Sequence, residues 1–228
     1  MALYDRDYSS VETDYVQEGA SVSFMKQTYQ LLGASMIAAA AGAYMTMPYA
    51  ETVMQYKWFI FGAELLILFF GLSMSKGKPG LNLAMLFLFT FLTGVSLVPL
   101  LASLIGMGQG AMIGNAFLMT SVLFGALSLF AINSKTDFSS WGKPLFITLI
   151  VVVIASLVNI FILQSPIMHV IITAGILLLF SFFTIYDTQN IANGAYDSPV
   201  DAAVSLYLDF LNIFTALLQL LGIFGSDD

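Results

Sequence analysis

The chain contains no cysteine. Disulfides, thiolate metal ligands and cysteine nucleophiles are therefore excluded together. It has a single histidine, His169, too few for an imidazole zinc or haem site. Charge is scarce as well. Asp, Glu, Lys and Arg make up 9% of 228 residues, against about 25% in an ordinary soluble domain. The few charges lean acidic, with a net charge of −7, which argues against nucleic acid as a partner.

What is present is apolar. Hydrophobic residues make up 59% of the chain and the mean hydropathy is +0.90, so the expected partner is membrane lipid. Seven apolar stretches, at 28–47, 57–75, 81–105, 112–132, 145–164, 166–188 and 202–224, are each long enough to cross a hydrocarbon core of about 30 Å. Helices and closed barrels are the structures that satisfy their backbone in lipid. The predicted fold is therefore all-α, a polytopic membrane protein with seven transmembrane helices. Punctuation falls between them: Met47-Pro48, Lys76-Gly77-Lys78-Pro79-Gly80, Gly106-Met107-Gly108, Gln164-Ser165-Pro166, Asn193-Gly194 and Ser198-Pro199. In the first stretch Gly33, Ala34, Ser35, Ala38, Gly42 and Ala43 offer small residues at a spacing of four, suited to close helix contact.

Residues 1–23 are polar and acidic (Asp5, Asp7, Glu12, Asp14, Glu18) with no apolar signal core. They are expected to form a mobile cytoplasmic tail, with one seven-helix domain over 24–228. If the N-terminus is cytoplasmic, Arg6, Lys26, Lys76, Lys78, Lys135 and Lys143 fall on the inside and Lys57 alone outside, a strong positive-inside bias. A multi-pass protein of the inner (plasma) membrane is expected. Seven crossings put Ser226-Asp227-Asp228 outside; a re-entrant last helix would keep them inside.

Two aspartates interrupt the apolar helices, Asp187 after Ile185-Tyr186 and Asp209 within Leu206-Tyr207-Leu208-Asp209-Phe210. A carboxylate at the centre of a membrane helix costs roughly 2.5–3.5 kcal/mol on insertion scales and by default marks function. In the last helix Asp201, Ser205, Asp209, Asn212, Ala216 and Gln219 recur every three or four residues, on one face. Thr184, Asp187 and Asn190 form a weaker stripe on the helix before it. Spacing allows Asp187 and Asp209 to meet at similar depth. Glu64 is a third intramembrane acid. No lysine or arginine lies mid-span, so these acids must be protonated, share a proton, bind a cation, or reach a loop lysine such as Lys76. Two close carboxyls titrate as a pair, and with Asn and Ser oxygens beside them they suit a hard cation such as calcium.

Other chemistries fit less well. A retinal Schiff base needs a mid-helix lysine. A Ser–His protease would have to use His169, at a span mouth. An intramembrane aspartyl protease would use Tyr186-Asp187, but the Gly-x-Gly-Asp of such enzymes is absent around Asp209.

Ile185-Tyr186-Asp187-Thr188-Gln189-Asn190-Ile191, with Ser205 to Phe214, resembles the signature of the Bax inhibitor family. Phe91-Leu92-Thr93-Gly94-Val95-Ser96-Leu97-Val98-Pro99 and the ending Leu221 to Asp228 are similar to bacterial members. The resemblance implies six helices around a central C-terminal seventh and a pH-sensitive calcium leak, with Asp187 and Asp209 as the proton sensor and no resident cofactor. It places Glu64 at an acidic position on the second helix that could line the path. Ser205, Asn190, Asn212 and Lys76 would support the pair. The family's helix-two arginine, which latches onto an aspartate of the pair, has Ser75 in its place, with Lys76 as the nearest substitute. The resemblance also implies an alternative class, a non-conducting regulator of a membrane-bound quality-control protease, touched through the acidic tail.

Overall fold

The structure, a computed structural model, describes the backbone of residues 5–225 and the side chains of residues 21–223 and 225. Every regular element among them is helical: α1 (Asp5–Thr46), α2 (Ala50–Leu66), α3 (Leu72–Ser75), α4 (Pro79–Gly106), α5 (Ala111–Asn133), α6 (Gly142–Val158), α7 (Pro166–Ala192) and α8 (Pro199–Phe224). Five-residue π-helical turns, Ile67–Gly71 and Asn159–Leu163, join α2 to α3 and extend α6.

Helix starts follow local chemistry. Pro79, Pro166 and Pro199 occupy first turns, where a missing N–H costs nothing. Ser165 and Ser198 accept from the N–H groups of Met168 at 3.3 Å and Val200 at 3.1 Å, satisfying donors that a helix start leaves unpaired. Two boundaries differ from expectation. The helical backbone of α1 begins at Asp5, where a tail was expected; no proline interrupts residues 5–46. The loop between α7 and α8 is residues 193–198, about half the expected length, because the Ser198 cap starts α8 early. Gly194 at φ +72° makes the turn, a conformation open to glycine.

Among the described residues six helical stretches are long and apolar enough to cross a membrane. Seven were expected. The difference is Ser21–Ser75, 55 residues that run through a single 3-10 turn at Met47–Tyr49. At 1.5 Å per residue this stretch is about 80 Å long, far more than one crossing. Its two ends open on one cavity: Gln27 and Gln30 line it together with Gly77 and Pro79, just past Ser75.

α8 is the most buried of the six stretches and packs against α1, α4, α5 and α7. Its Leu206, Phe210, Ile213 and Leu218 form the core with Leu32, Phe89 and Leu101. α6 packs on α7 and turns Phe146, Ile150, Val151 and Ile154 outward, as expected of a lipid-facing helix. α1 and α4 touch backbone to backbone, since a Cβ on Gly94 would lie 1.9 Å from the Ala39 carbonyl oxygen. That close approach is what the small residues of α1 suggested.

Lys76, Lys78 and Lys135 collect at one end. Lys76 pairs with Asp201 at 3.0 Å, and Lys78 precedes α4. The loop carrying Lys135 is clamped to the end of α7 by Gln189, whose Nε2 donates to Thr136 O at 2.8 Å and whose Oε1 accepts from Phe138 N at 2.6 Å.

Candidate functional site

The short loop brings the end of α7 against the start of α8, and Asp187 meets Asp209. Their carboxyl groups are close neighbours. Any hydrogen bond between them takes one proton shared by the two acids, because two ionised carboxylates offer only acceptors. Both residues are buried, Asp187 at 7% and Asp209 at 2% exposure. Asp209 Oδ2 has no donor within reach. The polar stripe on α8 therefore faces the protein interior.

Tyr196, in the loop, completes the group. It donates to Asp187 Oδ1 at 2.9 Å and lies 3.0 Å from Ser205 Oγ. One phenolic proton cannot serve both, so the serine's own proton holds one of these contacts. Burial and the neighbouring Asp187 carboxyl push the Tyr196 phenol well up, which keeps it a donor. Tyr196 and Ser205 also wall a cavity of about 290 Å³ at the basic end, together with Leu68, Leu72, Lys76 and Asp201. A phenol thus stands between this polar cavity and the buried pair. Sequence reasoning missed Tyr196. Its signal was an aromatic residue in the loop joining the two acid-bearing helices.

The other expected residues are placed differently. Lys76 reaches Asp201, not the pair; the hydrogen bond to Asp201 and its charge hold the ammonium above the usual lysine range. Ser75 accepts from Asn82 Nδ2 at 2.9 Å and donates to Leu72 O at 2.9 Å, so the expected latch position tethers α3 to α4. Asn212 donates to Leu208 O in its own helix at 2.7 Å. Asn190 contributes its carbonyl, which accepts from Ala195 N at 2.9 Å in the turn.

Glu64 belongs to a second buried group. It accepts from Ser96, and one turn away on α4 the Thr93 hydroxyl bonds to that of Tyr207 on α8. Among the described residues no three acidic or histidine side chains gather as a metal cage. The pair offers two carboxyls and neighbouring hydroxyls.

These features define a class: a multi-pass helical membrane protein with two buried, neighbouring carboxyls between its last two helices. Residues 21–226 match the family described as inhibitor of apoptosis-promoting Bax1. An uncharacterized protein of Helicobacter pylori J99 is 49% identical over 231 residues, covering all of both chains. One from Campylobacter jejuni is 47% identical over 232 residues, 99% of this chain and 100% of that one. The inner membrane protein YbhL of Escherichia coli K12 is 32% identical over 168 residues, 69% of this chain and 70% of its own. The chain belongs to the Bax inhibitor family.

Proposed function

We propose that the protein is a pH-regulated calcium leak of the inner membrane, gated by the Asp187–Asp209 pair. One observation carries this reading: two buried carboxyls lie side by side inside the helical bundle with no basic residue in the group, an arrangement in which the two acids hold one proton between them. Its geometry then depends on a proton. Losing that proton places two like charges side by side in low dielectric, which drives α7 and α8 apart. Because α8 packs on four other helices, the movement is felt through the bundle.

The reading includes seven crossings, with Ser21–Ser75 folded back on itself at Met47–Tyr49, α8 at the centre and the N-terminus in the cytoplasm. It supports this topology that the described basic ends gather near the start of α8 and that α8, at about 39 Å, is long enough to cross. Calcium is cargo, drawn by Glu64 and the pair, not a resident ion. Lys76–Asp201 is the ion pair that holds the end of α3 to α8 in place of an arginine latch on the pair itself.

The test is calcium flux in liposomes from about pH 6 to about pH 8, the range a buried carboxyl pair senses. Wild type should conduct with a pH-dependent rate. Asp209→Asn, which removes one acid and its shared proton, should conduct without that dependence. Flux equal to protein-free liposomes at every pH would overturn the proposal.

A further inference from the structure

Tyr196 stands in the loop of residues 193–198, and the chain fixes it from both sides. Before it, Ala195 N donates to Asn190 O at 2.9 Å across the turn at Gly194. After it, the Ser198 side chain accepts from Val200 N at 3.1 Å and starts α8. The phenolic oxygen is thereby held 2.9 Å from Asp187 Oδ1 and 3.0 Å from Ser205 Oγ.

This phenol touches two environments. One is the buried pair, of which it contacts Asp187 directly; Asp209 Oδ2 has no donor within reach. The other is the cavity of about 290 Å³, whose walls include Tyr196 and Ser205 but neither acid of the pair. That cavity is open to water, since Lys76 in its wall is 58% exposed and Asp197, beside Tyr196, is exposed.

The charged groups around the phenol are few. Lys76, just past α3, and Asp201 of α8 pair with each other, and Asp197 lies with them in the cavity wall. At the end of α7 the loop clamped by Gln189 carries Lys135 and Asp137, and α6 carries Lys143 next to Gly142, which packs on the Tyr186 hydroxyl. α1 beyond Lys26, α4 and α5 have no acid, lysine, arginine or histidine, and His169 is near the opposite end of α7. Among the described residues, Tyr196 is the one group from outside the pair that bonds to either acid.

We propose that Tyr196 is the proton relay of the carboxyl pair, passing protons between water in the basic-end cavity and Asp187 Oδ1. This rests on the proton-gated reading and deepens it by naming where the proton enters. A phenol suits the task because one oxygen both donates and accepts. Its proton moves to Asp187 Oδ1 while the Ser205 hydroxyl gives its own to the phenolic oxygen. The serine oxygen takes a proton in turn from hydronium in the cavity. Each hydroxyl breaks one O–H bond and forms another, and the carboxylate becomes an acid. Release runs the same bonds in reverse. Burial and the Asp187 carboxyl push the phenol well up, so it gives up a proton only as another arrives.

The test reads proton arrival at the pair and not transport. Protein in lipid receives a light-released pulse of protons, and the infrared band of the protonated carboxyl is followed in time. Tyr196→Phe keeps the ring and removes the relaying hydroxyl. It should slow protonation on the order of a hundredfold, the worth of a positioned proton-transfer group. A phenol with a structural role alone would shift the midpoint of the carboxyl titration and leave the protonation rate as it is. A second arm keeps Tyr196 and both acids. The cysteine-free chain allows Ser73→Cys, in the cavity wall, to be capped with a bulky thiol reagent, and this should also slow protonation. Capping Ser103→Cys, near the far end of α4, should not. If Tyr196→Phe fails to fold, the capped variants decide. An unchanged rate in folded Tyr196→Phe, loss of its carboxyl band at a wild-type melting temperature, or slowing by the Ser103 cap and not the Ser73 cap would each overturn the relay. Calcium flux on the same samples separates the two ideas. Slowed protonation with no flux in any sample refutes the leak and leaves the relay standing; pH-dependent flux with an unchanged protonation rate does the reverse.

Discussion

Gly94→Ala adds one methyl group where α1 and α4 have no room for it. The new Cβ would lie 1.9 Å from Ala39 O, 2.6 Å from its carbonyl carbon and 2.8 Å from its Cα. Contacts under 3.0 Å essentially never occur, so the helices must separate by at least about 1.1 Å, the difference between 3.0 and 1.9. All three atoms are backbone and no rotamer can relieve them. Separation also loosens Leu32 against Phe89 in the core. Overpacking of this kind costs typically 1–3 kcal/mol, which in a chain of this size lowers the melting temperature by about 2–12 °C. The assay is thermal unfolding of the purified protein in detergent. Gly62→Ala is the control, since nothing lies within 4 Å of its Cβ position and alanine favours a helix. Gly42→Ala meets Phe91 O at 2.2 Å, and combining it with Gly94→Ala should cost less than the sum, because either change opens the same seam. An unchanged melting temperature for Gly94→Ala, or a loss as large for Gly62→Ala, would refute this packing.

Gln189→Ala leaves the buried Phe138 N–H without its acceptor and should cost about 1–3 kcal/mol; faster proteolysis within residues 134–141 is the check. Lys76→Ala removes an ion pair whose lysine is 58% exposed, so it should cost under about 1 kcal/mol, an effect that added salt erases. The Tyr196 phenol is raised by burial and by Asp187, so its folded-state stabilisation is complete below its unfolded value of about 10 and is lost only as pH climbs above that. Ultraviolet titration of the folded protein should therefore give the same tyrosinate curve near pH 10 for wild type and Tyr196→Phe. A curve short by one phenol in the variant would show that Tyr196 is not held as described.

The helices were legible because apolar runs of bilayer length leave the backbone few alternatives. Asp187 and Asp209 were legible for the converse reason: an acid in such a run is costly. What lay beyond reach depended on closure of the chain in three dimensions. The partner of Lys76 could not be read, since the choice between Asp201 and the pair turns on where α8 begins, and the Ser198 cap moved that start. Tyr196 is an unremarkable loop residue until a six-residue loop folds it over Asp187. Asn212 looked like part of the site because it shares the face of Asp209, yet its amide is satisfied by Leu208 one turn back. The Ser96 partner of Glu64 comes from another helix, and periodicity within one helix does not report such pairings. Residues 1–4 and 226–228, which include part of the expected tail and the acidic ending, lie outside the described residues.

The shared proton between Asp187 and Asp209 is the centre of the proposed mechanism, and infrared difference spectroscopy of the protonated-carboxyl stretch reads it directly. Titrated in lipid across the range in which flux is recorded, wild type should show one carboxyl signal that disappears with the same midpoint as the change in calcium flux. That signal should be missing, or displaced, in both Asp187→Asn and Asp209→Asn and retained in Glu64→Gln. A signal untouched by either aspartate substitution, or flux that changes with pH while the signal does not, would contradict a proton-gated pair.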